Sequence, residues 1–176
     1  MTINDKKEII QPDPYSDDAQ MNARLVSDWY DRVATNVDKC PFCDLREKYI
    51  ITQTKDLVLT VNLFPYVDGH LMVVPKRHVE KLIDLKSTEW RSVKKLVDIG
   101  MLLIKRELNC ADLNVIYREG TKAAGTSVGH LHIHIIPITT SFLVYEKVKF
   151  TWNFQKITVT PRDMAERLRL AYSKIE

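Results

Sequence analysis

Apolar and polar residues alternate along this 176-residue chain with a period that changes several times, and each change marks a predicted element. Between residues 19 and 34, Met21, Leu25, Trp29 and Val33 recur at the spacing of one helix face, which predicts a helix. Residues 57–62 and 70–75 are valine- and leucine-rich runs separated by Pro65 and Asp68-Gly69, the pattern of an antiparallel hairpin. Ser87 is placed to cap a long helix whose apolar stripe is Trp90, Val93, Val97, Met101, Ile104 and Leu108, ending at Asn109. Residues 113–118 and 130–138 read as further strands, with Gly120 and Gly125 marking the loop between them. Aromatic and β-branched enrichment predicts strands over 142–145 and 148–158, and Thr160-Pro161 opens a final amphipathic helix to about residue 173. Residues 1–17, with Pro12, Pro14 and many charges, lack periodicity and read as an arm. Together these elements predict an α+β fold: an antiparallel sheet of about five strands with one main helix packed across it. The expected organisation is an N-terminal arm and helix over 1–37, a central domain over 38–140, and a strand and helix extension over 141–176.

A hydrophobic content of 45% suits a single domain large enough to bury its own core. The 26 basic and 23 acidic residues leave a net charge of +3, too slight to argue for a nucleic-acid or membrane surface. No apolar run approaches the roughly 20 residues that a membrane helix needs, and residues 1–20 lack the apolar stretch of a secretion signal. A cytoplasmic protein is expected. Three cysteines in such a protein favour metal ligands or free thiols over a disulfide framework.

The densest chemistry lies in His130-Leu131-His132-Ile133-His134-Ile135-Ile136-Pro137, which holds three of the five histidines. At a spacing of two in an extended chain, the three imidazoles point one way while Leu131, Ile133 and Ile135 point the other. Aliphatic residues would fill a core at lower desolvation cost, so three aligned rings argue for a reactive face. A nucleophilic histidine needs one bare ring nitrogen and a second whose proton is held by a fixed acceptor, and the middle ring, His132, is the best placed. Upstream, Gly125, Thr126 and Ser127 belong to a loop of small residues and hydroxyls through which backbone amides could approach a phosphate; an ordinary turn is the alternative. Asn62 at a strand end serves either turn chemistry or a polar site, and His70 either a site or a satisfied core position. Cys40-Pro41-Phe42-Cys43 has the two-residue spacing at which both thiolates reach one tetrahedral ion. Free thiols are an alternative. A redox role would require a buried strand before Cys40, and residues 35–39 do not supply one. Cys110 has no partner in sequence and reads as a small buried residue.

The alternating histidines, together with the earlier block from Asn62 through Gly69-His70 to Pro75-Lys76-Arg77-His78, resemble the histidine triad (HIT) superfamily of nucleotide hydrolases and transferases over about residues 38–138. The resemblance implies that His132 attacks the α-phosphorus of a nucleotide and carries the nucleotidyl group, while His134 binds phosphoryl oxygens or assists the leaving group. It places Asn62 on the ribose, His70 close by, and Gly125, Thr126 and Ser127 on the phosphates. In the zinc-bearing branch, Cys40, Cys43, His78 and His130 would hold one structural zinc ion. A homodimer acting on a small nucleotide, without nucleic acid or membrane, is implied as well. Family members often carry glutamine at the position of Thr126 and asparagine near Arg118. The implied activity is hydrolysis at the α-phosphate of a dinucleoside polyphosphate or an adenylylated small molecule. Alternatives are a diadenosine tetraphosphate phosphorylase, a nucleotide-binding protein without turnover, and a triad that is itself a catalytic metal centre.

Overall fold

A computed structural model describes residues 13, 15–21, 24, 40–120, 126–138, 143–146, 149–152 and 156–175. Strands β1 (Ile50–Gln53), β2 (Leu57–Val61), β3 (Leu71–Pro75), β4 (Leu113–Tyr117) and β5 (Ile133–Pro137) form one antiparallel sheet in the order β1-β2-β3-β5-β4. The long helix α2 (Ser87–Glu107) lies against one face of it. The expected α+β architecture is therefore the observed one. Of the helix predicted over 19–34, Asp17–Met21 forms α1; Arg24 lies in a turn, and the rest lies outside the described residues, as does Gly125.

Strands β2, β3 and β5 are buried at every position because both faces of the sheet are covered. On one face Leu57, Leu59, Leu71, Val73, Ile133 and Ile135 share a core with Val93, Leu96, Leu103 and Ile104 of α2. Gly100 lets helix and sheet close: a Cβ there would stand 2.6 Å from Ile135 Cδ1. On the other face Val58, Met72 and Val74 pack with Phe42, Leu45 and Ile50. In the β2–β3 turn Asn62 N–H bonds to the His70 carbonyl at 2.9 Å, and Gly69 takes a positive φ of 80°.

Two boundaries and one buried face differ from the periodicity. The strand expected over 130–138 enters the sheet only at Ile133, because the Leu131 N–H is drawn to the Val79 carbonyl at 2.5 Å, outside the β3 and β4 ladders. Helix α2 is preceded by Lys86, so Ser87 is its first residue rather than its cap; the Glu89 carboxylate accepts the Lys86 N–H at 2.7 Å. Trp90 is 51% exposed, and the buried stripe runs instead through Val93, Leu96, Gly100, Leu103 and Ile104. Glu89 takes the buried place in the first turn, bound by Arg77 through Nε at 2.6 Å and Nη2 at 2.8 Å.

Beyond the sheet, β6 (Leu143–Glu146) and β7 (Lys149–Trp152) pair with each other as a separate two-stranded sheet. Of the strand expected over 148–158, Lys149–Trp152 forms β7 and residues 148 and 153–155 lie outside the described residues; the Thr158 N–H and hydroxyl are taken by the Asp68 carboxylate at 3.1 and 2.5 Å. Helix α3 (Pro161–Tyr172) starts from Thr160, whose hydroxyl accepts the Asp163 N–H at 3.1 Å. Its Met164, Ala165 and Leu168 join the core beneath α2. No helix among the described residues is long and apolar enough to cross a membrane.

Candidate active site and metal centre

The turn at Cys40 to Cys43 is closed by a Cys43 N–H bond to the Cys40 carbonyl at 3.1 Å, which brings both thiols to one side. His130 Nδ1 lies 3.3 Å from Cys40 Sγ and 3.5 Å from Cys43 Sγ, and His78 Nδ1 lies 3.4 Å from Cys43 Sγ. One donor atom from each of the four residues falls within 4.8 Å of the others, so the group could hold a metal ion. The tautomers suit that role. His130 Nε2–H donates to the Pro75 carbonyl at 2.9 Å, leaving the Nδ1 lone pair toward the thiols, and His78 Nε2 faces Glu80 Oε1 at 3.6 Å. Burial, and to a lesser degree His78, push the His130 pKa down and keep the ring neutral as a ligand must be.

His132 stands two residues on. Its Nδ1 is 2.7 Å from the His130 carbonyl, which can only accept, so the proton sits on Nδ1 and Nε2 carries the lone pair. Burial lowers its pKa, and the nearby Arg118 adds to the effect against the pull of the His130 carbonyl. The ring is 7% exposed and packs on Phe42, with centroids 4.8 Å apart. His132 and His134 both line a cleft whose walls include Phe42, Leu45, Asn62, Tyr66 and Ser127. Their ring centroids are 4.7 Å apart, edge to face.

His70 stands behind His134 rather than in the cleft lining, 1% exposed, with its Nε2 2.9 Å from His134 Nδ1. Burial first and then neighbouring positive groups hold both rings neutral; His134 is pushed down to about 2, and His70 well below the usual range. Asn62 serves the turn and the cleft together. Its Oδ1 accepts the Phe64 N–H at 2.9 Å, while its Nδ2 lies 3.3 Å from the His70 ring. Ser127 lines the cleft; Thr126 does not, and its buried hydroxyl has no partner among the described residues. Cys110 lies apart from both centres, its thiol 3.3 Å from the Ile138 carbonyl.

Several site groups carry no motif in the sequence. Arg24 reaches in from the N-terminal segment, donating from Nε to the Phe64 carbonyl at 2.8 Å with its guanidinium 4.3 Å from the Tyr66 ring centroid. Arg118, next after β4, places Nη1 3.2 Å from both Tyr66 Oη and His134 Nε2. Tyr15 closes another part of the wall beneath the guanidinium of Arg46, 3.3 Å from its ring centroid. Phe42 could have been suspected from its place between two cysteines; Arg24 could not.

Residues 46–141 match the family model of the HIT domain. The chain is 35% identical over 91 residues to the AP-4-A phosphorylase of Mycobacterium tuberculosis, an alignment covering 52% of this chain and 47% of that protein. It is 34% identical over 111 residues to the bis(5'-adenosyl)-triphosphatase of Saccharomyces cerevisiae, covering 57% and 53% respectively. The chain thus spans about half the length of these curated relatives. The fold is similar to that of a zinc-bound histidine triad family protein from Mycobacterium smegmatis, with a TM-score of 0.60 and 20% identity over 81% of this chain and 96% of that one. The matched stretch, more than half of the chain, contains the whole five-stranded sheet, α2 and the three aligned histidines, and the chain belongs to the HIT domain family.

Proposed function

We propose that the protein is a nucleotidyl hydrolase that cleaves the α-phosphate bond of a dinucleoside polyphosphate or an adenylylated small molecule through a nucleotidyl-histidine intermediate. The observation that carries this reading is the His132 to His130 carbonyl bond, which leaves Nε2 as a bare nucleophile in a cleft. Nε2 attacks the α-phosphorus and forms a P–N bond; the bond to the leaving group breaks and takes its electron pair with it. Water then attacks the same phosphorus, the P–N bond returns its pair to Nε2, and the water proton passes to solvent as AMP leaves. His134 and the Ser127 region offer donors beside the phosphoryl oxygens. Asn62 is assigned to the ribose, and Gly125 and Thr126 to the phosphates.

Cys40, Cys43, His78 and His130 are assigned to a structural zinc ion. Zinc–sulfur and zinc–nitrogen bonds of about 2.3 and 2.0–2.1 Å in a tetrahedron place sulfur and nitrogen donors about 3.5 Å apart. The 3.3–3.5 Å separations here fit that edge. A homodimer is also proposed: β4 is a sheet edge whose Val115 is 44% exposed, and a second copy would cover it.

The likeness to an AP-4-A phosphorylase favours a second reading, in which inorganic phosphate replaces water as the acceptor. Product identity separates the two. Incubated with diadenosine tetraphosphate, a hydrolase yields AMP at a rate that added phosphate does not raise; ADP formed only with phosphate would replace the first reading by the second. His132→Asn should lower turnover by several orders of magnitude and leave nucleotide binding largely intact. A variant retaining more than about a tenth of the rate would refute the nucleophile assignment.

A further inference from the structure

One aromatic side chain of the cleft wall comes from the N-terminal segment. Tyr15 stands just before α1, where the Ser16 hydroxyl accepts the Ala19 N–H at 3.3 Å and Asp13 Oδ1 accepts the Tyr15 N–H at 3.0 Å. Burial anchors α1 in turn: Ala19 is fully covered, and Gln20, 1% exposed, donates from Nε2 to Tyr49 Oη at 2.9 Å. Tyr15 is thereby set into the cleft lining, packed on the core, with the Arg46 guanidinium 3.3 Å from its ring centroid. Arg46 is not itself part of the lining, so it backs the ring from outside the cleft. Leu45, its neighbour in sequence, is part of the lining, and Phe42 packs on the His132 ring. Phe42, Leu45 and Tyr15 thus form an apolar wall that leads from His132 to the N-terminal segment.

We propose that Tyr15 is a specificity-determining residue, extending this wall so that the transferred half of the substrate carries a purine in preference to a pyrimidine. The inference rests on the nucleotidyl-transfer reading above, which puts the α-phosphorus at His132. Phosphate and ribose need hydrogen-bonding partners, and His134, Asn62 and Ser127 are the polar side chains of the lining that suit them. A base offers flat apolar faces instead, which suit Phe42, Leu45 and Tyr15. Dispersion and stacking grow with the surface in contact, so a wall lengthened by a third side chain holds a two-ring base better than a one-ring base. Arg46 and the α1 anchor order the Tyr15 ring before any ligand arrives, which keeps the entropic cost of binding low. Tyr15 lies outside residues 46–141, so base choice would be a property of the N-terminal segment and not of the matched domain alone.

The test is calorimetric binding of AMP and UMP, which carry only the transferred half, to the wild type, Tyr15→Phe, Tyr15→Leu and Tyr15→Ala. The wild type should bind AMP more tightly than UMP. Loss of one stacking partner in Tyr15→Ala should weaken AMP binding roughly 5- to 100-fold and UMP binding less, so that the preference falls. Tyr15→Phe should keep the preference, and Tyr15→Leu should keep part of it. With diadenosine tetraphosphate, Tyr15→Ala should raise KM and leave kcat within about twofold, because the lost contact is made equally in the ground state and the transition state. A preference within about twofold of wild type in Tyr15→Ala, or in Tyr15→Leu should the alanine variant not melt as the wild type does, overturns the proposal. Equal affinity of the wild type for AMP and UMP overturns it too, as does a loss confined to diadenosine tetraphosphate, which would put Tyr15 on the departing half. A wild type that binds neither nucleotide overturns both the proposal and the reading beneath it. One that binds AMP but cleaves nothing overturns the hydrolase reading alone, and the AMP-to-UMP preference of the variants still decides Tyr15.

Discussion

Acidification should unfold this protein through the rings at the back of its cleft. His70 and His134 are buried, and desolvation with nearby positive charge holds both below the ordinary histidine value of 6.5. The unfolded chain therefore binds protons that the folded one refuses, so this contribution is present in full above pH 6.5 and is lost as the pH falls below it. Between about pH 7 and about pH 5.5 each ring costs about 1 kcal/mol, because at the lower pH the unfolded imidazole is about ten times more often protonated than neutral while the folded one stays neutral. The pair together gives about 2–3 kcal/mol, a sizeable part of the 5–15 kcal/mol typical of a domain. Denaturant unfolding of the wild type at the two pH values reports the total change, which includes every other titrating group. The same pair of measurements on the double variant His70→Asn, His134→Asn isolates the contribution of the two rings. The double variant should lose about 2–3 kcal/mol less than the wild type over this interval. Equal losses in the two proteins would show that the rings protonate in the folded state, and the electrostatic account of the cleft would fall.

Cys43→Ser should lower both metal content and Tm before it changes the chemical step, because a closed site contributes folding energy; elemental analysis and calorimetry on protein purified without chelators check this. Full retention of one ion per chain in that variant would remove Cys43 from the ligand set. Arg77→Met leaves the buried Glu89 carboxylate without its guanidinium partner and should lower Tm by several degrees, with part of the loss recovered in Arg77→Met, Glu89→Gln. Asp68→Ala frees the Thr158 and Val159 amides and should raise hydrogen exchange at the start of α3 while leaving the β2–β3 ladder protected.

Residues that repeat at the period of their element were the legible ones. Alternation placed His132 and His134 beside each other and Ile133 and Ile135 in the core, and this survived even though the ladder begins only at Ile133. The Cys40–Cys43 spacing likewise pointed to a shared centre, and the family resemblance supplied His78 and His130, which the fold brings within reach. Periodicity failed where one tertiary partner outweighed local preference. Trp90 fits the apolar stripe of α2, yet Glu89 takes the inward place because Arg77 comes from another element to meet it. Arg24 was silent as a site residue for the same reason, and Arg118 stood out only against the family's asparagine: a lone arginine acquires meaning only once Tyr66 and His134 are beside it.

His130 divides its labour between two kinds of atom. Its imidazole faces the thiols, whereas its carbonyl fixes the proton of His132. Only the first of these is written in a side chain. Any residue at position 130 keeps a carbonyl, so the acceptor of the His132 Nδ1 proton is immune to mutation there as long as the backbone holds its path. The proposed metal centre and the proposed nucleophile are thus adjacent in space but separable in descent: a lineage could exchange His130, Cys40 and Cys43 for residues that pack, forgo any ion there, and still inherit a His132 whose Nε2 carries the lone pair.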